Sequence, residues 1–438
     1  MRLFRFRFLF LSTVLALAAR AAEPATLTLE EALATTEGVN LNVLLGREAA
    51  AQALEFANQT RAGILPNISA SAQQRRTRAL TELSTTGALS ETRPSNRFDG
   101  LLTGNYSLLN PQQIVALRSA RVGVEVAQAD YRATLQLVLT SVAQSYFAHL
   151  RNLRRLDVLD ANITRARVLL DLANNQLAAG VATRIDVTRA EAQLAQAEQA
   201  RLQQVTADYQ SELLLKRLLD IEPARELKLE DFKVRRADAG LITVGDEQTR
   251  FEQRADYLRQ QKAVAQSRLD VSTATFERLP SLALTGQYGY GAANYDDAGK
   301  REEWFAGATV SLPIFDGLKS GADRRAALSR QRSQEARLHN LELQISSELR
   351  LARQDASSRF AQIAVAEKNL QLAEEQLRLA QQRYKEGVAD NREIVEAQNQ
   401  LAIAADNHVE AVYQYNLSRV ELARARGEVR SVLAEKLP

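Results

Sequence analysis

Two stretches of this 438-residue chain are helical in pattern and contain no proline over nearly 70 residues each. They run from Gln112 to Ala179 and from Leu318 to Glu386. At 1.5 Å per residue, a helix of about 70 residues is about 100 Å long, which exceeds the width of a compact domain. The chain must therefore fold into an elongated structure in which long helices have partners along most of their length.

Apolar residues follow heptad spacing along both stretches, with large residues and alanine alternating in steps of three and four. This spacing is typical of coiled coils, and the alanines allow helices to approach closely. The first set is Leu156, Leu159, Ile163, Ala166, Leu170, Ala173 and Leu177. The second set is Ile363, Ala366, Leu370, Ala373, Leu377, Ala380 and Tyr384.

Each long helix is followed by a glycine, Gly180 or Gly387, and then by a second helical pattern that extends to about Leu219 or about Ala425. A tight helix reversal often needs a residue with positive φ, which glycine adopts without strain. The sequence therefore predicts two antiparallel helical hairpins.

The hairpins belong to an internal duplication of the chain. Asn40–Asn67 and Arg254–Ser281 share a helical pattern and end in Leu-Pro, at an offset of 214 residues. The Gly-Val-Ala tips are offset by 207 residues. The change in offset indicates extra residues in the first copy, which we place in a polar loop at roughly 77–97 with a shorter counterpart at roughly 292–303.

Two strand-like segments precede each long helix. They are Asn67–Gln74, Phe98–Leu109, Ser281–Gly291 and Trp304–Leu312. Alternating apolar residues over nine to eleven positions suit a tilted transmembrane strand, but they also suit a soluble hairpin with one buried face. Four strands are too few to close a barrel, so they either pack on another element or are pooled by several chains.

Residues 1–21 have the features of a secretory signal peptide. Arg2, Arg5 and Arg7 precede a short apolar core, and Ala19 and Ala21 provide small residues for a cleavage site. Cleavage of residues 1–21 would remove four arginines and leave 52 basic against 53 acidic residues. The net charge of the mature chain therefore gives no reason to expect nucleic acid as a partner. The alternative is an uncleaved membrane anchor.

Composition excludes several chemical classes. The chain has no cysteine, which excludes a disulfide framework, thiolate metal sites and cysteine catalysis. Its histidines, His149, His339 and His408, lack the spacing of a metal site. Because no nucleophile elbow, phosphate-binding loop or supported carboxylate pair is evident, we expect neither enzymatic activity nor a cofactor.

In order along the chain, several motifs resemble those of the TolC-like outer-membrane efflux proteins, and the likeness covers nearly the whole mature chain. Thr28–Leu33 reads Thr-Leu-Glu-Glu-Ala-Leu, and Leu312–Gly317 reads Leu-Pro-Ile-Phe-Asp-Gly. A Leu-Pro pair closes each first helix, and each helical turn has Gly followed by an acidic residue and Ala-x-x-x-Leu. Tyr413–Gly427 resembles the family's C-terminal pattern, with alanine replaced at some positions.

The resemblance implies a mainly α fold with a transmembrane β part. In a homotrimer, four strands per chain would form a 12-stranded barrel in outer-membrane lipid, and the hairpins would form a periplasmic α-barrel. Stability would come from the seams between chains rather than from a core within one chain. The function implied is a passive exit channel of a tripartite efflux or type I secretion system in a Gram-negative bacterium. A periplasmic adaptor and an inner-membrane transporter would be its partners.

The predicted organisation has five parts. Residues 1–21 form the signal peptide, 22–222 the first repeat, 223–248 an equatorial linker, 249–427 the second repeat and 428–438 a C-terminal tail.

The resemblance also implies roles for particular residues. Asp186, Glu393 and Glu396 would form acidic rings at a periplasmic constriction, and Tyr384 matches an aromatic position linked with closure. The alternative for the acids is stabilisation by the N-terminus of a helix. Where similar tunnels can carry an arginine, this chain has Ala389, so a closing ion pair would need another base, such as Arg392 or Arg184.

Two further sets of residues complete the expected sites. The tips that would dock the adaptor are Gly180, Val181, Ala182, Gly387, Val388 and Ala389. The aromatic girdle at the membrane surface would be Tyr288, Tyr290, Trp304 and Phe305. The aromatics could instead pack inside a soluble hairpin.

Two other protein classes remain open at this point. A periplasmic adaptor also has a coiled-coil hairpin, but it normally has one hairpin flanked by β-domains. A structural coiled-coil protein would explain the heptads but gives no use for the alternating strands.

Overall fold

A computed structural model describes residues 26–78, 80–82, 89–91, 94–231, 251–386, 388 and 391–432. The predicted signal peptide, most of the linker and the end of the tail lie outside these residues. The helices are α1 (Leu29–Val39), α2 (Leu41–Ala62), α3 (Pro111–Ala178), α4 (Arg184–Leu218), α5 (Ala255–Phe276), α6 (Lys319–Lys385) and α7 (Asn391–Arg426). The strands are β1 (Thr26–Leu27), β2 (Asn67–Thr77), β3 (Leu80–Glu82), β4 (Leu89–Glu91), β5 (Ser95–Leu109), β6 (Lys228–Leu229), β7 (Ser281–Ala292) and β8 (Arg301–Ser311).

The structure confirms the two long helices, their return helices and the four main strands. The start of α3 follows from local chemistry, because the Asn110 side chain accepts a hydrogen bond from the Gln113 backbone at 3.1 Å and Pro111 occupies the first helical turn. Within the described residues, none of the helices contains an apolar stretch long enough to cross a bilayer.

The helices form an elongated layer built on α3 and α6. Near the strands, the neighbours are ordered α2, α3, α5, α6. Towards the helical turns, the order is α4, α3, α7, α6. Among the described helices, α2 and α4 therefore form one lateral edge of the layer and α6 forms the other.

The main sheet has the order β2–β5–β7–β8 among the described strands, and every neighbouring pair is antiparallel. The register aligns Ile68, Gly104, Gly286 and Ala306 across it. The loop expected at roughly 77–97 is partly regular, because β2 and β5 extend into it and β3 pairs with β4. The strands β2 and β8 are the two edges of the sheet.

A hydrophobic core lies within the chain, near the middle of α3, and corrects the expectation that stability comes only from seams between chains. Its fully buried side chains include Leu33, Leu139, Val142, Tyr146 and Leu215. The Tyr146 hydroxyl donates a hydrogen bond towards the backbone oxygens of Leu27 and Glu230, at 3.1 Å and 2.7 Å. The core therefore joins α1 and the short β1–β6 ladder to the long helix.

Candidate functional site: the helical tips and the sheet

The first helical tip reverses the chain between α3 and α4. Gly180 has φ of +77°, which confirms the left-handed conformation expected for a glycine at this turn. The backbone N–H groups of Val181 and Ala182 donate to the Gln176 carbonyl at 2.9 Å and 3.3 Å. Because Val181 is 75% exposed, the tip presents an apolar side chain to its surroundings.

Asp186 stabilises the start of α4. Its carboxylate accepts hydrogen bonds from the Thr183 backbone N–H at 2.9 Å and from the Thr183 hydroxyl at 2.6 Å. These bonds, first the one from the hydroxyl, hold the pKa of Asp186 below its usual value, and the Arg189 charge 3.5 Å away acts in the same direction. This geometry gives Asp186 a helix-capping role, which is the alternative that the sequence left open.

The second tip is described only in part, since Gly387 and Ala389 lie outside the described residues. The Val388 N–H donates to the Arg383 carbonyl at 2.9 Å, and the Val388 side chain is 67% exposed. Both tips thus present a valine at the same position of the Gly-Val-Ala sequence.

A buried cluster holds the two hairpins together just above the tips. Half of its members are alanines and the other half are larger residues, as the heptads predicted. Its members are Leu169, Ala173, Val187, Ala190, Ala373, Leu377, Ala380, Tyr384, Ile394, Ala397, Leu401 and Ala404. All four tip helices contribute to the cluster, so the hairpins cannot separate at this level without exposing apolar surface.

Tyr384 joins the two hairpins by a hydrogen bond as well as by packing. Its ring is buried in the cluster, and its hydroxyl donates to the side-chain oxygen of Gln176 on α3. Sequence reasoning identified Tyr384 but missed Gln176. The partner could not be identified from the sequence because 208 residues separate the pair and any of several polar side chains on α3 would have suited.

The acids of the second hairpin differ in their surroundings. Glu393 forms an ion pair with Arg383 at 3.1 Å, whereas Glu396 is exposed. Arg383 and Glu393 belong to the same hairpin, so this pair closes the turn between α6 and α7 and does not join the two hairpins. Arg383 was not among the bases we expected from the sequence.

Ion pairs connect the hairpins farther from the tips, where α3 meets α7. The Arg155 guanidinium binds both carboxylate oxygens of Asp406, at 2.6 Å and 2.8 Å. Arg151 lies 3.4 Å from Glu410 and 4.5 Å above the ring of Tyr413. Bidentate arginine–carboxylate pairs have a fixed geometry, so they define how the second hairpin sits on the first.

The sheet has one apolar face. The register places Leu102, Tyr288 and Trp304 side by side on it, and Tyr290 follows Tyr288 along the same strand. Trp304 is 70% exposed in the single chain. Phe305 lies on the opposite face, paired with Gln287, so the register separates it from the other three aromatics of the expected girdle.

Charged residues occupy the other face near the β7–β8 loop. Arg97 lies 2.6 Å from Asp99 and 3.3 Å from Glu303, reaching across β7 at its glycines. At Gly289, an added Cβ would lie 2.1 Å from the Gly100 carbonyl oxygen, so only glycine fits there without a backbone shift. The sheet therefore has one face suited to lipid and one suited to water.

The described residues contain no group of three His, Asp or Glu side chains that could hold a metal ion. The geometry is that of a scaffold with an apolar and a polar sheet face and two closely packed helical tips.

A sequence profile of the outer membrane efflux protein family matches residues 40–219 and 248–428. The two matches cover the two copies of the internal repeat and together account for most of the chain.

Curated relatives include two bacterial proteins. The chain is 27% identical over 376 residues to outer membrane protein OprJ of Pseudomonas aeruginosa, covering 84% of this chain and 77% of OprJ. It is 25% identical over 308 residues to nodulation protein T of Rhizobium leguminosarum bv. trifolii, covering 68% of this chain and 64% of that protein. The latter match thus spans less than two thirds of the relative's length.

Solved structures share the fold. The chain superposes on the CmeC outer membrane channel of Campylobacter jejuni with a TM-score of 0.82 at 20% identity, covering 93% of this chain and 88% of CmeC. For the outer membrane protein VceC of Vibrio cholerae, the TM-score is 0.78 at 19% identity, with 91% and 96% coverage.

Proposed function

Because the chain belongs to the outer membrane efflux protein family and lies in the outer membrane, we propose that it forms the passive exit channel of a tripartite efflux or type I secretion system. Three copies make the channel. An energised inner-membrane transporter drives the cargo, and the channel itself carries out no chemical reaction.

The observation that carries this proposal is the open sheet. Its edge strands β2 and β8 are exposed along their described length, and unpaired backbone groups on such edges have no partner in lipid. Pairing β8 of one copy with β2 of the next satisfies both edges. Three copies then give twelve strands, which can close around a water-filled interior.

The face assignment supports the same arrangement. Tyr288, Tyr290 and Trp304 lie on the apolar face and form the aromatic girdle in this proposal, whereas Phe305 faces the interior. The polar face, with Arg97, lines the aqueous passage.

At the other end, the tips serve two purposes in this proposal. Val181 and Val388 are the exposed apolar points on which a periplasmic adaptor docks. Glu393 and Glu396, repeated three times around the axis, create a negative field that favours cations. The helix-capping geometry of Asp186 makes it a weaker contributor to that field.

The experiment has two parts. The protein is purified from the outer-membrane fraction in mild detergent, and its native mass is measured; a mass of three mature chains is expected, and a monomer would contradict the channel. The trimer is then placed in planar bilayers under a salt gradient. Glu393→Gln with Glu396→Gln is expected to move the reversal potential towards that of a less cation-selective pore.

A matched control removes two charges at the opposite end. Asp296→Asn with Asp297→Asn changes the β7–β8 loop, which lies far from the tips. An equal loss of cation selectivity in both double variants would contradict the constriction assignment, because it would show that total charge and not the tip acids governs selectivity.

A further inference from the structure

Phe305 lies on the polar face of the main sheet, where the aromatic girdle does not account for it. The register puts it beside Gln287, on the face that also carries Arg97 and Glu303. Its exposed fraction in the single chain is 49%. An aromatic side chain that is half exposed on a face suited to water needs another explanation.

Packing within the chain does not provide that explanation. Among the described strands of the main sheet, Phe305 is the one aromatic residue on the polar face. None of the buried clusters in the described part of the chain includes it. Its nearest companions on this face of β5 and β7 are polar, and they include Thr103, Thr285 and Gln287.

Pairing between copies leaves the ring of Phe305 uncovered as well. In the proposed trimer, β8 pairs with β2 of the next copy, so the polar face of β2 continues the polar face of β8. The side chains on that face of β2 are Asn67, Ser69, Ser71, Gln73, Arg75 and Thr77. Any register that keeps both apolar faces in lipid therefore places a polar side chain beside Phe305. The ring then stays in the aqueous passage.

We propose that Phe305, together with Leu101, forms a weak binding patch inside the barrel for the aromatic groups of amphipathic cargo. The patch occurs three times in the channel and lengthens the stay of molecules that carry an aromatic ring. The inference rests on the proposed trimeric channel and adds a residue by which that channel discriminates among cargoes.

Leu101 supplies the second apolar side chain of the patch. The register pairs Leu101 with Gly289 on β7. The Leu101 Cδ2 atom lies 2.9 Å from the position that a Cβ on Gly289 would take, so the leucine side chain lies over β7 where the glycine leaves space. Gly289 is the diagonal neighbour of Phe305, and such neighbours are about 7–8 Å apart. One guest ring can therefore touch Phe305 and Leu101 together.

Polar groups around the patch set the chemical class of its guest. Gln287 lies beside Phe305, and Glu303 precedes Phe305 by two residues on the same face. Arg97 lies 3.3 Å from Glu303 and 2.6 Å from Asp99, so charges of both signs are close by. The patch therefore suits a molecule that combines an aromatic ring with polar groups. Contacts with one or two apolar side chains also let the guest leave again, as conduction requires.

The absence of cysteine from the chain lets the position of residue 305 be tested directly. Trimers of Phe305→Cys and of Trp304→Cys are placed in planar bilayers and treated with a charged, water-soluble methanethiosulfonate. The conductance of Phe305→Cys should fall, whereas that of Trp304→Cys should not change, because the two residues lie on opposite faces of β8. The reverse pattern, or no reaction in either variant, would overturn the inference.

Binding is tested with two peptides of equal charge and length. One alternates lysine with phenylalanine over six residues and the other alternates lysine with serine. In the unmodified channel, the phenylalanine peptide is expected to block the current for longer than the serine peptide. Phe305→Ser should shorten the longer blocks about 2- to 13-fold, the factor that one aromatic contact contributes. Phe305→Tyr, which keeps a ring, should preserve them.

Trp304→Ser is the matched control, since it removes an aromatic ring from the neighbouring position on the lipid face. Its blocking times should equal those of the unmodified channel. Equal blocking times in Phe305→Ser and the unmodified channel, or equal shortening by Trp304→Ser, would overturn the inference and leave the channel proposal standing. A protein that is monomeric by native mass, or that forms no conducting pore, would overturn both.

Discussion

Replacing Tyr384 by phenylalanine tests whether the tips are held together by the bond between the hairpins. The substitution keeps the ring in the apolar cluster and removes only the hydroxyl that donates to Gln176. Net loss of one hydrogen bond between neutral groups costs about 0.5–1.5 kcal/mol. In each subunit, the population of the state with packed tips relative to the separated state is therefore expected to fall by a factor of about 2 to 13.

The number of subunits that move together sets the size of the observed effect. If three tips separate in a single step, the cost rises to about 1.5–4.5 kcal/mol, a factor of about 13 to 2,000. Independent separation would instead produce sublevels of conductance, each with the smaller shift. Single-channel recording of the reconstituted trimer distinguishes these cases by the open probability and the number of current levels.

Two control variants make the result specific. Tyr295→Phe removes the same hydroxyl from a tyrosine that is 68% exposed in the β7–β8 loop, and no change in open probability is expected. Arg383→Gln breaks the ion pair with Glu393, which lies within one hairpin and is partly exposed, so its effect should be about 0–1 kcal/mol. An unchanged open probability in Tyr384→Phe, or a larger change in Arg383→Gln, would refute the reasoning.

Three further predictions concern stability, measured by thermal unfolding of the purified protein. Asp186→Asn should lower stability at pH 7, because hydrogen bonds from the N-cap threonine stabilise the ionised carboxylate and depress its pKa. The stabilisation by Asp186 is fully present above the unfolded pKa of about 3.9 and is lost as pH falls through the lower folded pKa. The difference in stability between Asp186→Asn and the unmodified protein should therefore vanish in strong acid. Gly289→Ala should cost about 1–3 kcal/mol because its Cβ meets backbone, whereas Gly307→Ala, which has open space, should change stability little; equal effects would contradict the close-approach argument. A double-mutant cycle on Arg155→Ala and Asp406→Ala should give a coupling energy of about 0.5–3 kcal/mol that falls with added salt, and a coupling near zero would show that the pair does not position the hairpins.

Much of the architecture could be read from local patterns. The heptads at Ala373 and Leu377, the alternation around Leu284 and the turn at Gly180 depend only on neighbouring residues, because side-chain period and positive φ are local properties. The duplication also predicted two equivalent hairpins and two pairs of strands before any contact was known.

The hydrophobic core near the middle of α3 was not foreseen. Tyr146 and Val142 occupy heptad-like positions that give no sign of whether a short terminal segment or another chain covers them. The capping role of Asp186 was foreseen as one of two alternatives, and the distances to Thr183 show the capping geometry, whereas the constriction role stays a prediction.

The length of the helices, the positions of their reversals, the two-faced strands and the repeat follow from the amino-acid sequence alone, since each is set by the spacing of residue types along a few turns or strands. Which helix faces meet became clear only in the folded chain. The fold joins Tyr384 to Gln176 and Arg155 to Asp406, and it leaves leucines of α6 such as Leu351 exposed in the single chain. The physical reason is that a long helix offers several similar faces, and the choice among them depends on contacts between residues some 200 positions apart.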